Sequence, residues 1–232
     1  MSTLTSTYVE KRGNVQTYFD VTAADTWAKL TSDAPVSRIR ATVRKGRDQM
    51  RATLMSWLPE DLTGLRLLDA GCGTGALATE AAERGAEVLA IDLSPNLVNV
   101  ARERTPKHLN IDFRAGDLLD PSLGTFDYVV SMDCLIHYSA QDAVNVLENL
   151  GARTRRSMAF TFAPANPLLM AAWQVGQMFP RKDRSPSIVP VAASHLRHLI
   201  IASPKLPQWR CNRSLRVKSG FYTSQALELT RA

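Results

Sequence analysis

The stretch Leu67-Leu68-Asp69-Ala70-Gly71-Cys72-Gly73-Thr74-Gly75 limits what this chain can fold into more than any other segment. It joins a short apolar run ending in an acid to three closely spaced glycines. The following residues, Ala76 to Arg84, are rich in Ala, Leu and Glu, all good helix formers. The pattern predicts a buried strand, a glycine-rich turn and a helix. Glycine lacks a Cβ and tolerates positive φ, so a ligand can approach such a turn closely. Seventeen residues after Gly75, Asp92 closes a second apolar run, Val88-Leu89-Ala90-Ile91. A carboxylate placed there can accept hydrogen bonds from both hydroxyls of a ribose. Together these features predict a nucleoside-binding α/β domain.

The spacing bears on which nucleoside. Dinucleotide folds use Gly-x-Gly-x-x-Gly, which seats a pyrophosphate on a helix N-terminus. Here the glycines run Gly71-x-Gly73-x-Gly75, with Asp69 two residues before the first. That arrangement resembles the first motif of the class I methyltransferases that use S-adenosylmethionine. This cofactor has no phosphate; it carries a methionine ammonium, which suits a carboxylate beside the loop. Two readings compete with it: a strand–turn–helix with incidental glycines, and an NAD site.

Beyond the motif, strands and helices keep alternating. Pro95 to Arg104 reads as a helix with Ser94 as N-cap and Pro95 at the first helical position. Ile111 to Arg114 reads as a third strand, leading into Asp117 and Leu118. Phe126 to Ser131 reads as a fourth, followed by Met132-Asp133-Cys134-Leu135-Ile136-His137-Tyr138. Gln141 to Leu150 is a one-faced helix and Ser157 to Phe162 a fifth strand. A helix near 192–202 and two antiparallel strands, near Trp209–Val217 and Gly220–Thr230, complete the chain. The expectation is a Rossmann-like α/β fold, a seven-stranded, mostly parallel sheet with helices on both faces. Residues 1–60 form an N-terminal helical arm, 61–232 the cofactor-binding domain, and about 164–190 a lid-like insertion after the fifth strand, all in one structural domain. Ligands of such sheets bind beyond the carboxyl ends of the strands, where Asp69, Asp92, Asp117 and Asp133 all fall.

Hydrophobic content of 45% and charged content of 22% are ordinary for a globular chain, and no apolar run is long enough to span a bilayer. The N-terminus lacks a signal-peptide core. Cys72, Cys134 and Cys211 form no Cys-x-x-Cys pair, which suits a reducing cytoplasm and argues against a structural metal. His195 and His198 lack a third ligand and read as a helical surface pair, so no metal site is expected. Charge is unevenly placed: residues 151–232 carry 13 Lys and Arg against only Asp183 and Glu228, whereas residues 1–150 carry 15 against 20 acids. An anionic substrate, an anionic membrane or partner surface, and nucleic acid compete to explain that basic third. Trp209, Phe221 and Tyr222 make no base-stacking series, which ranks nucleic acid last.

Five segments occur in order: Tyr18-Phe19-x-x-Thr22-x-x-x-x-Trp27, Val43-Arg44-x-Gly46-Arg47, the Asp69–Gly75 motif, Asp133-x-Leu135-Ile136-His137-Tyr138, and Phe160-x-Phe162-Ala163-Pro164. This set resembles the magnesium-protoporphyrin IX O-methyltransferases of chlorophyll and bacteriochlorophyll synthesis, from about Tyr18 to the C-terminus. Thr31 departs from the family, whose sequences often carry Tyr there. The resemblance implies methyl transfer from S-adenosylmethionine to one propionate of magnesium protoporphyrin IX. It implies Gly71, Gly73 and Gly75 beside the methionine part, Asp69 on its ammonium, Asp92 on the ribose, and Leu93, Asp117 and Leu118 around the adenine. Met132 and Asp133 would line the pocket, with Tyr18 and Arg44 closing from the arm. His137 stands where a transferred methyl would lie, as base or as orienter of the carboxylate, with Tyr138 beside it; a purely structural histidine is the alternative. Trp173, Met170, Met178 and Phe179 would wall the porphyrin, and Arg181, Lys182, Arg184, Arg213 and Lys218 are candidates for its second propionate. The pathway would make a magnesium chelatase porphyrin-binding subunit a partner, and a cytoplasmic location with peripheral membrane contact through 164–190 fits the same segment. A quinone- or polyketide-type methyltransferase and a non-catalytic porphyrin carrier are the other readings.

Overall fold

The computed structural model describes residues 6–18, 20, 30–31, 35, 37–165 and 188–232. Among the described residues, α1 (Ser6–Thr17) and α2 (Arg38–Met55) precede the sheet. Helix α2 is capped by the Ser37 side chain and buries Gly46, Met50, Leu54 and Met55, the four-residue spacing of a one-faced helix. Then follow β1 (Arg66–Ala70), α3 (Ala76–Glu83), β2 (Glu87–Asp92), α4 (Pro95–Arg104), β3 (Ile111–Ala115), β4 (Phe126–Ser131), α5 (Ala140–Gly151), β5 (Thr154–Phe162), α6 (Ala193–Ala202), β6 (Trp209–Ser219) and β7 (Tyr222–Arg231).

All seven strands form one sheet in the order β3-β2-β1-β4-β5-β7-β6, parallel except for β7, which runs antiparallel to both neighbours. This is the class I methyltransferase architecture expected from the sequence. Alternate residues of each buried strand face opposite cores. Leu68, Leu89, Ile91 and Val129 pack with α5 and α6, whereas Leu67, Val88, Ala90 and Val130 pack with α2, α3 and α4. Helices therefore cover both faces. The chain order reverses between β1 and β4, and that switch point opens a crevice at the carboxyl ends of the strands.

Ser94 caps α4 through Leu97 N–H, with Pro95 in the first turn as read from the sequence. Strand β5 begins at Thr154, three residues earlier than predicted. Exposed Arg155 and Arg156 hide its start, and Thr154 pairs with Phe126 across an irregular register.

Candidate active site

The loop between β1 and α3 is shaped by backbone needs. Gly71, Gly73 and Gly75 have φ of 88°, 52° and 81°, a region costly for other residues. The N–H groups of Gly71 and Cys72 both donate to Ile91 O, at 2.8 and 3.0 Å, which stitches the loop to β2. A Cβ on Gly71 would sit 2.6 Å from Cys134 Cβ, so only glycine lets the loop meet the turn after β4.

Asp69 is 2% exposed, and its Oδ2 has no hydrogen-bond partner in the protein. Burial, and then the charge of Asp92, pushes its carboxyl up to about 7, against a hydrogen bond from Ala78 N–H. Asp92 accepts from Gly73 N–H and Ser94 N–H, each at 2.9 Å; burial raises its carboxyl too. A buried carboxylate oxygen without a donor is costly unless a ligand supplies one.

Two cavities meet at Gly71, Cys72, Met132 and Arg47. One brings together Asp92, Leu93, Asp117, Leu118, His137 and Tyr138. The other is more polar and takes in Asp69, Thr74, Thr31, Arg44 and Arg51. The two adjoining spaces thus differ in character, the first lined mainly by apolar surface and the second mainly by polar surface.

After β4 the chain turns through a short 3-10 segment, Leu135–His137, whose His137 is 6% exposed. Tyr138 is buried in the core facing α5 as well as the cleft. The Val189 N–H donates to Ile136 O at 2.8 Å, tying the returning chain to this turn.

The arm contributes to the same place. Val15 of α1 walls the first cavity, and Arg12 forms an ion pair with Asp117. Asp20 accepts from Ser94 Oγ and Asn96 N–H at 3.0 and 3.1 Å. Arg44 donates to Leu30 O at 3.0 Å.

Several expected residues lie elsewhere. Gly75 lines neither cavity; it closes the loop at a φ of 81°, and its missing Cβ leaves room for Ala101 and Phe113. Tyr18 follows α1, partly buried, and lines neither cavity. Arg213 is a correction. Its guanidinium makes a bidentate pair with buried Glu228 at 2.6 and 2.7 Å, donates to Trp57 O and stacks over the Trp57 ring. Lys218 is exposed on β6 and lines neither cavity. Met170, Trp173, Met178, Phe179, Arg181, Lys182 and Arg184 lie outside the described residues. Arg47, which lines both cavities, and Arg12 were not singled out as site residues. The spacing of Arg44 and Arg47, three apart on α2, was a signal that they share a helix face.

Comparison with known proteins fits this geometry. Residues 67–156 match the family described as "Methyltransferase domain", and residues 131–231 match "Magnesium-protoporphyrin IX methyltransferase C-terminus". A magnesium-protoporphyrin O-methyltransferase of Rhodobacter capsulatus is 49% identical over 227 residues, 96% of this chain and 98% of that one. The chain belongs to the magnesium-protoporphyrin O-methyltransferase family.

A structure of a family member, the magnesium protoporphyrin IX methyltransferase of Synechocystis PCC 6803 with bound SAH, superposes with a TM-score of 0.82 at 27% identity, covering 95% of this chain and all of that one. The likeness to a ubiquinone biosynthesis O-methyltransferase of Methylocella silvestris is narrower, 45% identity over 84 residues, 35% of this chain and 33% of that one. Family membership thus covers the arm, the Asp69–Gly75 loop and the β6–β7 hairpin together.

Proposed function

We propose that this chain transfers the methyl group of S-adenosylmethionine to a propionate carboxylate of magnesium protoporphyrin IX, giving the monomethyl ester. Protoporphyrin's oxygens are those of its two propionates, so O-methylation of this substrate makes an ester. The observation that carries the cofactor assignment is the donorless Oδ2 of buried Asp69. An ammonium supplies the missing donor and the opposite charge. Asp92 accepts from the backbone N–H groups of Ser94, Gly73 and Leu93, and its remaining acceptor capacity suits a ribose hydroxyl. Leu93, Asp117 and Leu118 frame the adenine, and Arg44 with Arg47 faces the amino-acid end.

S-adenosylmethionine brings a methyl already activated on a sulfonium, and the propionate is ionised at neutral pH. No strong base is then required; orientation and exclusion of water carry the rate. His137, buried in the cleft wall at the turn after β4, is assigned to orient the carboxylate by donating a hydrogen bond, with Tyr138 packing the same wall. The arm, residues 1–60, and the 164–190 insertion are assigned as the lid of the domain formed by 61–232, on the composition of 164–190, whose apolar and basic residues suit the porphyrin ring and its second propionate. The substrate already holds magnesium, so a metal-inserting enzyme precedes this one, and its porphyrin-binding subunit is the natural donor. The same segment suits contact with a membrane surface; among the described residues no helix is long and apolar enough to cross one.

The test is transfer of labelled methyl to magnesium protoporphyrin, metal-free protoporphyrin and a quinone precursor. Ester should form on the magnesium porphyrin. Asp69→Ala should weaken cofactor binding about 100-fold, as loss of one partner from a buried charge pair does. His137→Ala should lower kcat about 10- to 100-fold with cofactor affinity retained. Transfer to the quinone alone, or to no porphyrin while cofactor still binds, overturns the substrate assignment.

A further inference from the structure

Asp133 has a φ of 53°, the one positive value outside glycine among the described residues. Asp tolerates this region better than most residues, but the conformation persists only where the surroundings impose it. Here they do so from three directions. Arg47 of α2 donates to Oδ2 at 2.5 Å. Tyr222 Oη on β7 bridges Oδ1 and Oδ2 at 3.1 and 3.2 Å, and Ser224 Oγ reaches Oδ1 at 3.3 Å. On β5, Thr161 Oγ1 accepts from the Asp133 N–H at 2.7 Å and donates to Oδ1 at 3.3 Å.

The carboxylate has room for about four donors, and protein groups fill it. Its side chain is 6% exposed. Asp133 lines the cofactor cleft, yet its oxygens are committed to the fold. Burial, and then the charge of Asp133, holds the Tyr222 phenol above its ordinary range, so it stays protonated and donating. Gly46 makes the meeting of α2 with this tyrosine possible, since a Cβ there would lie 2.5 Å from the Tyr222 ring. Three sequence segments far apart, Val43–Arg47, Asp133–Tyr138 and Phe221–Tyr222, therefore converge on one carboxylate.

We infer that Asp133 is a positioning residue: Arg47, Tyr222, Ser224 and Thr161 lock its carboxylate and left-handed backbone, and the lock sets the turn that presents His137 to the cleft. Only three residues separate Asp133 from His137, and the Leu135–His137 turn begins directly beyond Cys134. The inference rests on the proposed role of His137 but is read separately from it.

The experiment combines kinetics with hydrogen exchange on the full chain, with SAH as the cofactor probe. Asp133→Ala and Asp133→Gly should each lower kcat tenfold or more while the Kd for SAH stays within threefold. Glycine relieves the backbone but cannot be anchored, so it should not rescue. Asp133→Asn tolerates the same φ and accepts from Tyr222, so it should recover most of the loss. Tyr222→Phe, mild enough to fold, should lower kcat threefold or more. Amides 134–138 should exchange faster in the alanine, glycine and phenylalanine variants and return toward wild type in Asp133→Asn. This exchange reports the lock even if the porphyrin proves not to be the substrate. Exchange unchanged in Tyr222→Phe and Asp133→Gly, or SAH affinity falling in step with kcat/KM, overturns the proposal.

Discussion

A carboxyl group held near neutrality by burial gives the cofactor pocket a pH signature. The Asp69 carboxyl is raised to about 7, chiefly by burial and next by Asp92. Pairing with an ammonium requires the ionised form, so below that value a proton competes with the ligand. Affinity for SAH should therefore fall as pH drops through 7, approaching tenfold per unit between about pH 6.5 and 5.5, and level off above 7.5. Calorimetric titration across that range checks it, and a flat profile would show that Asp69 is ionised before binding. The same shift has a folding consequence of definite sign. A carboxyl raised above its unfolded value binds its proton more tightly when folded. Its ionisation then opposes folding, increasingly from about pH 4 to 7 and fully above 7. Cofactor saturation should remove much of that pH dependence from Tm. At this scale the sequence was informative: Asp69 and Asp92 lie at strand ends, Asp117 and His137 follow strands, and the fold brings all four to two adjoining cavities. Gly75 shows the limit, because its neighbours Ala101 and Phe113 come from α4 and β3 and leave no trace in the local motif.

Among elements, the β6–β7 hairpin was legible as two adjacent strands, but its side-chain partners were not. The register shifts between Cys211 and Ser214, and the shift brings Arg213 to Glu228. Alternation alone could not place that guanidinium, so it looked available for a propionate. Glu228 is 2% exposed while Arg213 is 44% exposed in its side chain, so the pair is half in water. Removing the partner of a buried carboxylate is costly, and the exposure of Arg213 discounts the cost to about 2 kcal/mol. Arg213→Met should accordingly lower Tm measurably while leaving kcat and KM for the porphyrin within twofold. A raised porphyrin KM with unchanged Tm would return Arg213 to the substrate site.

Over the whole molecule, the basic C-terminal third is partly an effect of where the chain was divided. Arg156 pairs with Asp127 at 3.6 Å and Lys205 with Glu148 at 2.9 Å, so acids of the first 150 residues neutralise bases of the last 82. Linear charge counts miss such pairing because it is made only when the sheet assembles. The N-terminal arm is tied down in the same long-range way, by Arg12 on Asp117 and by Asp20 on the start of α4. Val15 then forms part of the wall around the space proposed for the nucleoside. An arm that docks on a residue assigned to adenine should slow ligand escape. The Arg12–Asp117 pair is partly exposed, 32% and 24% in its side chains, so it is worth at most about 1 kcal/mol. Arg12→Ala should thus speed SAH dissociation about three- to fivefold, with a smaller change in association, as measured by stopped flow. Added salt should narrow the difference from wild type, since screening weakens the same pair. Asp117→Asn should lose part of its own effect when combined with Arg12→Ala, because the two share one interaction. Dissociation rates that are equal in Arg12→Ala and wild type would mean that the arm stays closed through Asp20 and α2 alone, with Arg12 only a bystander at the rim.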